Sequence, residues 1–113
     1  MNETDIQNSI RLALSYHGIV FRTNAGTLYQ GDKRFSNEFR DTVIVNPRPV
    51  KMLPKGFSDL MFFGNDGQAA FIEVKTAKGK ASQEQLNFIK AMQSRGFRAG
   101  IARSVEDALK IIE

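Results

Sequence analysis

Residues 56–75 read Gly-Phe-Ser-Asp-Leu-Met-Phe-Phe-Gly-Asn-Asp-Gly-Gln-Ala-Ala-Phe-Ile-Glu-Val-Lys, and this stretch decides the fold. Two strand-like runs, Ser58 to Phe63 and Gln68 to Lys75, flank Gly64-Asn65-Asp66-Gly67, a hairpin turn by composition. Alternate side chains of a strand share a face. Glu73 and Lys75 therefore project together, about 7 Å apart along the backbone, while Ile72 and Val74 turn to the core. A two-residue loop of Asn65-Asp66 sets Asp59 opposite Ile72, on the wrong face. A three-residue loop of Asn65-Asp66-Gly67 sets it opposite Glu73 and leaves Gly67 free to take the left-handed conformation of a bulge. The three-residue form is expected.

Two carboxylates and a lysine on one face suit phosphodiester hydrolysis. Asp59 and Glu73 offer hard oxygen ligands for Mg2+ or Mn2+, which keep several waters and share phosphate oxygens. Such an ion lowers the pKa of water and offsets charge developing on phosphate. Lys75 can orient the attacking water and stabilise the pentavalent state. A Glu-x-Lys triplet alone arises by chance, as an exposed ion pair on a strand. Asp59 in the hairpin, together with Gln85 on the next helix, favours a site.

Working outward, Ile6, Ile10, Ala13 and Leu14 recur at helical steps, with Thr4 and Gln7 as a capping box and Gly18 as a stop. Residues 19–24 read as a strand and Ala25 to Asn37 as a loop. Phe39 to Val45 is a β-branched strand that Pro47 and Pro49 should end. After the hairpin, Ser82 caps a helix carrying Leu86, Phe88, Ile89 and Met92 and ending at Gly96. Phe97 to Arg103 is a last strand, and Ser104 caps a short helix with Val105, Ala108, Leu109, Ile111 and Ile112. Strands and helices thus share one layered α/β core.

The chain has 113 residues, of which 42% are hydrophobic and 25% charged, so residues 1–113 are read as a single domain. The absence of cysteine excludes disulfides, thiolate metal sites and cysteine nucleophiles, and fits a reducing cytoplasm. The start Met-Asn-Glu-Thr-Asp lacks the basic and apolar regions of a signal peptide, and no apolar run is long enough to cross a membrane. A net charge of +4 favours a polyanionic partner. Residues 31–55 hold Lys33, Arg34, Arg40, Arg48, Lys51 and Lys55 against Asp32, Glu38 and Asp41.

The motifs Gly56-Phe57-Ser58-Asp59-Leu60, Phe71-Ile72-Glu73-Val74-Lys75 and Ser82-Gln83-Glu84-Gln85 resemble those of the PD-(D/E)xK nuclease superfamily, and in particular its VRR-NUC (virus-type replication-repair nuclease) domain. The resemblance implies a restriction-endonuclease-like αβββαβ core, a mixed central sheet flanked by helices. It implies metal binding by Asp59, Glu73 and the backbone carbonyl of Val74, with Lys75 as catalytic lysine and Gln85 in support. Glu3, placed inward by its spacing to Ile6 and Ile10, would reach the metal through water; otherwise it only complements the helix N-terminus. Ser58 stands where the superfamily often has proline, a change in the chain before the aspartate rather than in the ligands.

Arg22, Lys78 and Lys80 are the phosphate-contact candidates, with a solvated basic loop as the competing reading. His17, before Gly18 at a helix C-terminus, suits the helix dipole and is read as structural. Tyr29, Phe35 and Phe39 are core or interface aromatics, or else stack on bases. The function expected is a Mg2+- or Mn2+-dependent DNA endonuclease, bacterial or phage-encoded and intracellular, acting on duplex or branched DNA. One active site per short chain points to a homodimer for two-strand cutting. Stand-alone VRR-NUC proteins, dimers thought to act on four-way (Holliday) junctions, point the same way. The alternatives are a non-catalytic DNA-binding module of the same fold and a regulatory protein with a basic surface.

Overall fold

The computed structural model describes residues 1–23 and 27–113. The elements run α1 (Glu3–Leu14), β1 (Gly18–Arg22), β2 (Thr27–Ser36), β3 (Asp41–Lys51), β4 (Leu60–Gly64), β5 (Ala69–Val74), α2 (Gln83–Ser94), β6 (Arg98–Ala102) and α3 (Val105–Ile111). Four strands form a sheet in the order β1-β4-β5-β6, antiparallel at the first two pairings and parallel at β5–β6. With β2 and β3 set aside, the order is the expected αβββαβ core: a mixed sheet with helices on its faces.

β5 lies inside the sheet, and every residue from Ala70 to Val74 is buried. Alternation along it divides the core in two. Ala70, Ile72 and Val74 pack with Ile6, Ile10 and Leu14 of α1, Leu60 and Phe62 of β4, and Ala108 of α3. Phe71, on the opposite face, packs with Ile89, Phe88 and Met92 of α2, and with Phe57. The rings of Phe57 and Phe88 lie 4.5 Å apart, and both pack edge-on or tilted around Phe71. Phe57 thereby anchors the segment that leads into Asp59.

The helix starts follow side-chain chemistry. Asn2 caps α1, its Oδ1 accepting from the Asp5 N–H at 2.8 Å. This displaces the expected Thr4–Gln7 box: the helix begins at Glu3, and Gln7 is buried on the Ile10 and Leu14 side. Ser82 and Gln85 instead form a reciprocal capping box on α2.

Two further expectations are corrected. Ala25 to Asn37 is not a loop over its described part, because Thr27–Ser36 is β2; Ala25 and Gly26, like Asn24 of the expected first strand, lie outside the described residues. Nor do the prolines end β3, which runs through Pro47 and Pro49 to Lys51. β2 and β3 pair only with each other, and a two-stranded ribbon has an open edge on each strand where proline removes no ladder bond. Pro47 lies at a register shift beside Asn46, whose φ is 54°. The ribbon makes an arm. With it the molecule measures 52 × 30 × 28 Å and its radius of gyration is 16.9 Å, against about 13 Å for a compact chain of this length.

Candidate active site

The hairpin register places the site. Leu60 pairs with Ile72 and Phe63 with Ala69, so one step further back Asp59 is level with Glu73. The turn is the three-residue form: the Gly64 N–H donates to the Gln68 carbonyl at 2.8 Å, and Gly67 has φ 81°. Asp59 lies just before β4, and its Oδ2 accepts from the Val74 N–H at 2.9 Å. Thr23, following β1, holds this segment from behind. Its N–H donates to the Asp59 carbonyl at 2.8 Å, and its hydroxyl donates to the Ser58 carbonyl. Ser58 is fully buried, its hydroxyl donating to the Leu60 carbonyl at 3.0 Å. Hydrogen bonds thus shape the stretch before Asp59.

Glu73 is only 1% exposed. Its Oε1 accepts from Gln85 Nε2 at 3.0 Å and lies 3.9 Å from Lys75 Nζ. Its Oε2 is buried and, among the described residues, has no hydrogen-bond partner. A buried unpaired carboxylate oxygen is costly. Burial, followed by the closeness of the Asp59 carboxyl and its charge, pushes the Glu73 carboxyl up to about 8, against the pull of Lys75. Such a carboxyl can share a proton or receive a cation. The site is not a surface ion pair.

Gln85 has two tasks. Its Oε1 accepts from the Ser82 N–H at 2.8 Å to close the capping box, which points its Nε2 at Glu73. Helix start and carboxylate orientation are thus set by one side chain. Lys75 follows β5 directly; its side chain is 15% exposed, and its N–H donates to the Ala102 carbonyl of β6 at 3.1 Å.

Glu3 does not point inward. It is exposed at the first position of α1, yet close enough for its charge to act on Glu73. Arg22 is exposed at the end of β1 beside Leu60, and Lys78 and Lys80 are exposed after Lys75, so all three candidates lie around the site end of the sheet. His17 is at the other end, where its carbonyl accepts from the Asn65 N–H of the turn. Tyr29, Phe35 and Phe39 are 63%, 68% and 69% exposed on the arm, which removes the core reading for them.

Among the described residues, no group of three or more His, Cys, Asp or Glu side chains could hold a metal by itself. Asp59 and Glu73 with the Val74 carbonyl offer fewer ligands than a closed cage, which suits a hard divalent cation that retains waters. The unpartnered Oε2 of Glu73 fits that use. The sequence did not single out Thr23 or Arg103; only a polar side chain closing each of two apolar strands marks them.

A family model described as the VRR-NUC domain matches residues 1–106. A solved structure described as a VRR-NUC domain is similar over 97% of this chain and 92% of that one, with a TM-score of 0.56 at 21% identity, a likeness of fold. No curated protein matches the chain.

Proposed function

The chain belongs to the VRR-NUC domain family of nuclease-type domains, and from that premise we propose that it is a Mg2+- or Mn2+-dependent endodeoxyribonuclease with Asp59, Glu73 and Lys75 at its centre. The observation that carries this reading is Glu73: a carboxylate kept almost fully buried beside Asp59 and Lys75, with one oxygen left without a partner. Asp59, Glu73 and the Val74 carbonyl would hold the ion. When bound, the ion supplies Lewis acidity toward the scissile phosphate and lowers the pKa of the attacking water.

The rest is done by side chains. Lys75, tethered near Glu73, orients the water and stabilises charge on the phosphate oxygens. Gln85 fixes the Glu73 carboxylate in one rotamer, so that no reorganisation is needed during reaction. Glu3 acts at the rim of the site through water. Arg22, Lys78 and Lys80 bind flanking phosphates, and their number sets the salt dependence of binding.

In the same proposal the enzyme is a homodimer selective for four-way DNA, a bacterial or phage-encoded protein working in the cytoplasm. The exposed apolar residues Phe35 and Phe39 at the tip of the arm, with Val50, Met52 and Leu53 at and after its base, support an assembly. Among the described residues no helix is long and apolar enough to cross a membrane. A non-catalytic DNA-binding module is the second reading, and the presence of Asp59, Glu73 and Lys75 together counts against it.

Single-stranded, duplex, flap and four-way substrates incubated with Mg2+ or Mn2+ test the proposal. Asp59→Ala and Glu73→Ala should abolish cleavage with the fold intact, since repulsion is relieved. Lys75→Ala should keep metal-induced thermal stabilisation and lose the chemistry. Cleavage by Lys75→Ala at the wild-type rate would remove the lysine from the mechanism.

A further inference from the structure

The turn after Lys75 is held from an unexpected quarter. Arg103 follows β6, and its Nη1 donates to the carbonyls of Thr76 at 2.5 Å, Gly79 at 2.6 Å and Ala77 at 3.4 Å. The Gly79 N–H closes the same turn on the Thr76 carbonyl at 3.1 Å. Arg103 is itself fixed at the start of α3: its N–H donates to Asp107 Oδ2 at 2.9 Å, and Asp107 is tied to the Ser104 cap.

The turn in its turn lies against Lys75. A Cβ built on Gly79 would come within 3.1 Å of Thr76 Oγ1 and 3.5 Å of Lys75 Cδ, so the Gly79 backbone faces the lysine stem across the space of about one methyl group. Meanwhile the Lys75 N–H is fixed by the carbonyl of Ala102, the residue before Arg103. Both the backbone of Lys75 and the turn beside its stem are therefore referred to the β6–α3 junction. The two hydrogens of Nη1 match the two short bonds, to Thr76 and Gly79, and a guanidinium stays charged and more weakly hydrated than a lysine ammonium, which suits it to holding carbonyls in a partly buried turn.

We propose that Arg103 is a positioning residue for Lys75: by gathering the carbonyls of residues 76–79 it folds the turn onto the lysine stem and holds the ammonium beside Glu73. The inference rests on the catalytic reading of Lys75. It also explains why a turn carrying the phosphate-contact candidates Lys78 and Lys80 is tied down on its inner side.

Single-turnover cleavage by wild type, Lys75→Ala, Arg103→Ala, Arg103→Lys and Gly79→Ala, with circular dichroism as the folding control, tests it. Wild-type activity that is lost in Lys75→Ala establishes the underlying nuclease reading separately. Arg103→Ala should then lose about ten- to a hundredfold in rate at saturation, while the KM for DNA and the Mn2+ concentration for half-maximal rate stay within about threefold. Arg103→Lys should fall between wild type and alanine, and millimolar methylguanidinium should restore part of the Arg103→Ala rate. Gly79→Ala keeps the arginine but fills the space between turn and lysine at 3.1 Å from Thr76 Oγ1, so the turn must shift by a few tenths of an ångström, and it should show a smaller loss of rate without a change in KM. That variant decides the matter if Arg103→Ala does not fold. A folded Arg103→Ala that cleaves at the wild-type rate, or a loss confined to KM or to the metal requirement, would overturn the proposal. So would a Gly79→Ala variant with wild-type turnover.

Discussion

At the scale of single residues, Glu73 carries the most physics. A free glutamate releases its proton near 4.5, whereas in the fold this one keeps it to about 8, chiefly through burial and then through Asp59. Over that interval the native state binds more protons than the unfolded one, so this group's contribution to stability is present at low pH and is lost as pH rises through 8. The melting temperature of the metal-free protein should therefore decline between about pH 5 and pH 8.5, and Glu73→Gln should flatten the decline. Equal slopes in the two proteins, by scanning calorimetry, would show that Glu73 titrates normally. Because a cation competes for the same oxygens, Mn2+ should also raise the melting temperature more at pH 8 than at pH 6.

The shared face of Glu73 and Lys75 could be read from strand alternation, but the depth of Glu73's burial could not. That depth is set by α2, which covers the Phe71 face with Phe88 and Ile89 and brings Gln85 to the carboxylate. Gln85 looked like a first-turn helix residue, and it is that as well. Nothing local says that the same side chain spans from helix cap to carboxylate across twelve positions.

At the scale of elements, the β4–β5 hairpin was legible because its turn is chemically constrained. Only the form with Gly67 in the left-handed region puts Asp59 level with Glu73, and Gly67 has that conformation at φ 81°. A side chain at this position would meet no atom within 4 Å, so substitution costs backbone strain alone. Gly67→Ala should lower stability by about 1 kcal/mol, some ~4 °C in melting temperature, and leave cleavage unchanged once folded. A loss of activity in stable, folded Gly67→Ala would mean that the register depends on this residue more delicately than the strand pairing implies.

Of the β2–β3 ribbon only the first half of β3, read as the strand Phe39 to Val45, was legible. The β2 residues Gly31-Asp32-Lys33-Arg34 lack an apolar period, and the prolines of β3 argue against a ladder in any interior strand. The ribbon's free edges accommodate the prolines, and a ribbon with no fully buried face needs no apolar period.

The shape of the whole molecule is an α/β body with a protruding arm, and the charge is uneven as well. Lys33, Arg34, Arg40, Arg48, Lys51 and Lys55 all fall between residues 31 and 55, the arm and the segment that follows it. Phe35 and Phe39 at its far end are exposed, a placement unfavourable for a lone chain and suited to a twofold contact. In light scattering at micromolar concentration, the wild type should give about twice the chain mass. Phe35→Ser with Phe39→Ser should shift it toward the single-chain mass and reduce paired nicking of four-way DNA more than nicking of one strand. A wild type that stays monomeric and nicks linear duplex as readily as junctions would remove the dimer while leaving the nuclease assignment in place.

By itself the sequence determined those features whose cause lies within a few residues. They are the hairpin and its register, the apolar stripes of α1 and α2, the caps at Ser82 and Ser104, and the Asp59, Glu73 and Lys75 set. Periodicity and turn chemistry act over that range. The tertiary structure alone decided what depends on parts of the chain meeting from afar: the desolvation of Glu73 between layers, the exposed placement of Glu3 at the site's rim, the hold of Thr23 on the Asp59 segment, and that of Arg103 on the turn beside Lys75. Burial and carbonyl capture are properties of an assembled neighbourhood, and no local pattern of residue types encodes which distant donor will arrive to complete it.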